Sequence, residues 1–256
     1  MRSLKGWVKA SVVIYGAIAS VLHLYTSGFG TFEPRTQRGL HLLLLLPLIY
    51  ILFPATKKSP KDRPSLLDVI ASTFCFLGPA YIVWDADRLN FRMIGIDQVL
   101  PVEIFLGTIL VLLIVEACRR ALSRWMAITA AFTIFYLVTA PYWPGLLKFK
   151  GYSFPRMVEI LFLAGDEGIF GFLMGISSNI LYIYILFAGF MLSAGVGNFL
   201  INFAVWTAGW SKGGSAKIAV ISSALYGTVS GSTVANVYAT GSFTIPLMKR
   251  GGFVPK

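Results

Sequence analysis

Charge is what this chain has least of. Asp, Glu, Lys and Arg make up 13% of its 256 residues, where a soluble globular protein carries roughly 25%. That shortage excludes a water-exposed surface of ordinary composition. Cysteine is nearly absent as well. Cys75 and Cys118 lie inside or beside apolar runs, without the paired spacing of a disulfide framework or a metal site. The two histidines, His23 and His41, stand singly in apolar runs and read as packing or interfacial residues. No nucleophile, base and acid occur as a set, so the chain is not expected to be an enzyme. Acids are the scarcer charge, 11 against 22 Lys and Arg, for a net +11. The cations cluster in short connections between apolar runs. This is a signature of membrane orientation by the positive-inside rule rather than of nucleic-acid binding.

What the chain does have is hydrophobicity, 56% of its residues. About 20 apolar residues cross the hydrocarbon layer as helix, and six segments qualify as spans: 7–27, 39–54, 66–84, 99–117, 124–143 and 171–194. The fold expected is an all-α polytopic membrane protein in the lipid bilayer. The first run, although it starts like a signal peptide, continues through Val21–Tyr25 and reads as an uncleaved span. The densest basic clusters, 57–63 and 119–124, fall on one side together with the N-terminus, which is therefore expected in the cytoplasm. Asp85 and Asp87 end a span and read as a solvated loop. Glu103 lies near enough to the interface to reach water, Glu116 precedes Arg119 and Arg120 as a local pair, and "AGDEGIFG" (164–171) reads as a surface turn.

After the sixth span the pattern changes. "VGNFLINFAVWTAGW" (196–210) suits a helix lying along the interface, anchored by Trp206 and Trp210. Then "GGSAKIAVISSALYGTVSGSTVANVYATGSFTIPLMKRGG" (213–252) runs uncharged from Lys217 to Lys249. Two arms too short to cross comfortably meet at Ser230-Gly231-Ser232, and both outer ends are basic. That is the pattern of a re-entrant helical hairpin. Lipid cannot satisfy the freed backbone groups of a broken helix, so such a break is buried in protein or lines an aqueous site. Unwound carbonyls and hydroxyls there suit Na⁺ and an anionic substrate. Gly231 permits the turn, Ser230 and Ser232 add neutral oxygens, and Asn236 and Thr240 recur on one face of the second arm. Gly227-xxx-Gly231 equally suits close packing of ordinary membrane helices, and the spacing leaves both readings open.

The residues carry a resemblance. "AKIAVISSALYGTVSGSTVANVYATGSFTIPLMKRGGF" (216–253) resembles the first re-entrant hairpin of the large permease subunit of tripartite ATP-independent periplasmic (TRAP) transporters. "EACRR" (116–120) and "GDEGIFGFLMGISSNILYIYILFAGFMLSAGVGNFLINFA" (165–204) resemble fused permeases, in which small and large subunits form one chain, within the branch served by TAXI-type binding proteins. The resemblance implies a Na⁺-coupled elevator that uses no ATP. A TAXI-type periplasmic protein would deliver an organic anion to it in a bacterial or archaeal inner membrane. Residues 1–120 would be small-subunit-like scaffold, and 121–256 the beginning of the large-subunit transport module. It implies Na⁺ contacts at Ser230, Gly231, Ser232 and Asn236, and substrate contacts at Ser232, Thr233, Asn236 and Thr240. Na⁺ is the coupling ion and no other cofactor is implied. The family's second, inverted repeat is not matched, so the chain is expected to be truncated or split, with a separate chain supplying the other half. The alternative is a non-transporting scaffold or accessory subunit, or an inactive remnant.

Overall fold

The structure, a computed structural model, describes residues 2–56, 59–230 and 233–253, with backbone alone at 234, 235 and 238. Every regular element among the described residues is helical. The chain forms two compact units, residues 1–182 and 183–256.

The first unit holds α1 (Gly6–Phe29), α2 (Pro34–Leu52), α3 (Leu66–Trp84), α4 (Ala86–Phe91), α5 (Pro101–Ala121), α6 (Arg124–Thr139) and α7 (Phe154–Val158). α7 runs on as a π-turn, Glu159–Leu163, and α8 (Phe172–Ile176) is followed by a second π-turn, Ser177–Leu181. Among the described residues, five helices are long and apolar enough to cross a membrane: Gly6–Phe29, Leu66–Trp84, Pro101–Ala121, Arg124–Tyr142 and Phe172–Ser193. The last of these continues through α9 (Tyr182–Ser193), across the boundary between the units.

The six spans read from the sequence thus become five, and the exception is the segment at 39–54. It is a helix of 19 residues, α2, but it begins earlier than its apolar run, so its first half carries Arg35, Gln37, Arg38 and His41. Arg35, Gln37 and His41 are buried in protein, and Leu42, Leu46 and Tyr50 continue the same helix into the hydrophobic core. α2 is a helix whose neighbours are mostly protein, which is how it tolerates polar side chains that lipid would reject.

The core of this unit also uses a segment that hydropathy alone had placed among the loops. Met157, Val158, Phe162 and Leu163 of α7 and its π-turn are buried with Leu110 of α5 and Ile82 of α3. They approach α5 at Gly107, where an added Cβ would lie 2.6 Å from Val158 and 2.9 Å from Phe162. Only glycine lets the two backbones meet there.

Ion networks fasten both ends of α5. At its C-terminal end, Asp68 accepts from Arg2 and from Arg120 Nη1 (2.6 Å) while also capping α3 through Ser65. Arg120 also stands 4.6 Å from the Tyr50 ring centroid, and Glu116 accepts from both Arg119 and Arg120 at 2.7 Å. The sequence-level pairing of Glu116 is therefore present. At the other end Glu103 caps α5 by accepting from Leu100 N–H (2.8 Å) and pairs with Arg88, with the Tyr81 hydroxyl beside it (3.1 Å). Arg92 joins this network to Glu159 (3.1 Å), which also accepts from Gly95 N–H (3.1 Å) and pairs with Arg156. Glu103 does not reach water as its position near the interface suggested. It is fully buried, because two guanidiniums meet its charge.

The second unit comprises α9 from Ile183, α10 (Val196–Ala208), α11 (Gly214–Ser230) and α12 (Thr233–Arg250). α10 has 13 residues, too few to span, as its sequence suggested, and leaves Trp206 exposed.

Candidate functional site: a polar helical hairpin

α11 and α12 are two helices of 17 and 18 residues separated only by Gly231 and Ser232. Side chains near the break and near the outer ends show that they lie antiparallel. Towards the break, Asn236 Nδ2 donates to the Ser223 carbonyl across the two arms at 2.9 Å. Towards the base, Leu247 of α12 packs on a small core made by Ile218 of α11 with Ala204 and Ala208 of α10. Lys249 and Arg250 occupy the last turn of α12, where cations complement the carbonyl end of the helix.

Asn236 is the organising residue. Its Oδ1 lies 3.4 Å from the Ser223 hydroxyl and 3.4 Å from the Thr240 hydroxyl, while Thr240 Oγ1 donates to the Asn236 carbonyl at 2.7 Å. Thr244 continues the series by donating to the Thr240 carbonyl at 2.8 Å. Gly227 makes room for this bridge, since a Cβ there would sit 3.2 Å from Asn236 Nδ2. The Gly227 close-packing reading and the polar-site reading are therefore not rivals, because the small residue is what admits the asparagine.

The residues predicted for the site are distributed as follows. Asn236 and Thr240 come together between the arms, half-buried and buried respectively. Thr233 starts α12 and is exposed, and Ser230 ends α11. Gly231 and Ser232 lie outside the described residues. Sequence reasoning missed Ser223, which faces Asn236 from the first arm. A register argument pairing the arms about residues 231 and 232 sets Ser223 opposite Thr240, one helical turn from Asn236. Weak hydroxyl contacts at 3.4 Å leave Asn236 Oδ1 open to a further donor or a cation. The oxygens here are neutral, a donor set that fits Na⁺ and carries no charge opposed to an anion.

The family described as "Tripartite ATP-independent periplasmic transporter, DctM component" matches residues 109–256, more than half of the chain. The chain belongs to that family. Two relatives carry the name C4-dicarboxylate TRAP transporter large permease protein DctM. The protein from Vibrio cholerae is 37% identical over 70 residues, and that from Rhodobacter capsulatus 41% identical over 70 residues. Each alignment covers 27% of this chain, and the chain spans only 16% of the length of each relative. No solved structure matches. As a TRAP permease component with apolar spanning helices, the protein is a multi-pass inner-membrane protein.

Proposed function

We propose that this chain is the permease component of a Na⁺-coupled, binding-protein-dependent secondary transporter for organic acids. The observation that carries the reading is the family match over 109–256, which includes the whole polar hairpin. The hairpin enters and leaves from the cytoplasmic side, with the N-terminus also cytoplasmic. Na⁺ is held near Ser230, Gly231, Ser232 and Asn236, and the substrate anion near Ser232, Thr233, Asn236 and Thr240. Na⁺ supplies the positive charge that draws the anion into the site, and the chain's hydroxyls and amide orient it.

Residues 1–120 act as a small-subunit-like scaffold fused to a transport module that begins near 121. The ion pairs internal to 1–120, Asp68 with Arg2 and Arg120 and Glu103 with Arg88, support this, because they fix helix ends rather than bind ligands. The delivering protein is of the TAXI type. On this topology its docking face includes the cavity of about 400 Å³ between the start of α2 and the 164–167 turn, where Glu33, Asp166 and Glu167 stand.

The test is Na⁺-dependent uptake in proteoliposomes, with a TAXI-type binding protein, C4-dicarboxylates and other organic acids, in the presence and absence of a second permease chain. Uptake that requires Na⁺ and falls at least tenfold in Asn236→Ala supports the reading. Folded protein that transports under neither condition would instead favour a non-transporting scaffold.

A further inference from the structure

The two histidines that the sequence left apart meet inside the first unit. His23 Nε2 and His41 Nδ1 are 2.8 Å apart, and both side chains are buried. Their outer nitrogens are also engaged. His23 Nδ1 lies 2.7 Å from the Ala19 carbonyl, and His41 Nε2 lies 3.0 Å from the hydroxyl of Ser177, the first residue of the π-turn in the last candidate span. The Tyr182 ring covers the pair, its centroid 4.1 Å from that of His23 and 5.7 Å from that of His41. Below it Thr26 donates to the His23 carbonyl (3.1 Å) and accepts from Gln37 (3.2 Å), whose buried Oε1 has no partner among the described residues.

The carbonyl of Ala19 can only accept, so His23 Nδ1 carries its proton and His23 Nε2 is a lone pair. His41 must then donate from Nδ1, and Ser177 donates to His41 Nε2. This neutral chain is satisfied, but one member of it is reversible. A hydroxyl rotates freely between donor and acceptor. If a proton arrives at His41 Nε2, Ser177 becomes the acceptor and every bond along the chain survives. The Tyr182 face is also a favourable place for a cation.

We propose that His23 and His41 form a binding site for a single proton within the membrane, shared by the two rings, with Ser177 reversing from donor to acceptor when it is filled. The spacing favours a proton over a metal ion. Two imidazole nitrogens on a tetrahedral metal at ~2.0–2.1 Å stand roughly 3.3 Å apart, wider than the pair here. α1, α2 and residues 172–193, which form the site, contain no Asp or Glu that would bind the proton in the pair's place. Residues 172–193 contain no charged residue, and α1 contains only Lys9, near its start. The cations of α2, Arg35 and Arg38, are engaged elsewhere. Arg35 donates to the Leu89 and Leu163 carbonyls and to Asn90, and Arg38 donates to the Gly165 and Phe170 carbonyls. Tyr182 is the titratable side chain that faces the pair. Because the site lies in the first unit, the inference does not depend on the hairpin being a transport site.

The chain has only two histidines, so ¹⁵N-histidine NMR of the full chain in lipid nanodiscs reads this site without background. Between about pH 8 and pH 4 the two rings should shift together, with one midpoint and one proton taken up. Ser177→Ala should lower that midpoint by about one unit, since a hydrogen bond to the charged form is worth more than one to the neutral form, and Ser177→Thr should restore it. Independent titration of the two rings near the ordinary value of about 6.5, or no titration of either ring across this range, would overturn the proposal. A midpoint unmoved in Ser177→Ala would overturn the role of the serine. The wild-type tautomers test the ordered chain without any substitution. Protonation at His23 Nδ1 and His41 Nδ1 is expected at high pH, and a proton on His23 Nε2 there contradicts it.

Discussion

The two units hold their helices by different chemistry. In the first, charge does the fastening: Asp68 with Arg2 and Arg120 at one end of α5, and Glu103 and Glu159 with Arg88, Arg92 and Arg156 at the other. Between these ends lies a continuous core of large side chains such as Tyr50, Phe162 and Phe170. In the second, α11 and α12 are joined by the Asn236 amide, the Ser223 hydroxyl and a small apolar core around Ile218 and Leu247, with no ion pair among the described residues. Removing one member of a buried ion pair costs about 3–5 kcal/mol, whereas hydrogen bonds between membrane helices average about 0.6 kcal/mol, with 1–2 in model peptides. A scaffold is served by the first arrangement. A site that must take up and release an ion is served by the second, because weak, neutral contacts can be exchanged for ligand contacts at little cost.

This contrast can be broken at several points. Asp68→Asn takes from Arg2 its carboxylate and leaves Arg120 with Glu116 alone, and should destabilise the first unit by about 3–5 kcal/mol, read as a lowered unfolding midpoint in nanodiscs. The hairpin's hydrogen exchange should be unaffected by it. Gly107→Ala forces α7 away from α5 and should cost about 1–3 kcal/mol, read in the same way, with the loss centred on residues 154–163. Asn236→Ala should cost about 1 kcal/mol or less and speed exchange in α11 and α12, leaving the first unit's midpoint unchanged.

Acid should distinguish the units as well. Burial pushes the Glu159 carboxyl up, but the Gly95 N–H, Arg156 and Arg92 outweigh it and hold the group below its usual range. A depressed carboxylate contributes stability that is fully present above its unfolded value of about 4.3 and lost as pH falls through its lower folded value. The first unit should therefore weaken below about pH 4, and Glu159→Gln should flatten that dependence. The hairpin's described residues contain no acid and should show no such loss.

How much of this was legible in the sequence follows the same division. The long apolar helices and the two arms of the hairpin were readable, because length, apolarity and a run of polar residues at a break are local signals. The true extent of α2 was hidden, since its polar first half is paired by side chains far away in the chain, Arg35 with Asn90 and Leu163, and His41 with His23 and Ser177. The burial of α7 was hidden for the same reason, as a short segment gives no period long enough to read and depends on a single glycine in α5. In the hairpin, the shared face of Asn236 and Thr240 was visible from their spacing, but the contact of Asn236 with Ser223 was not, because it comes from the pairing of the two arms.

The central claim is that the hairpin is an ion site and residues 1–120 a scaffold. Hydrogen–deuterium exchange of the full chain in nanodiscs, in Na⁺ against a large inert cation at equal ionic strength, tests it most directly. The account predicts that Na⁺ slows exchange around residues 223–240, that Asn236→Ala abolishes the effect, and that residues 2–56 and 66–163 do not change. Protection spread evenly over both units, or none in the hairpin, would contradict it.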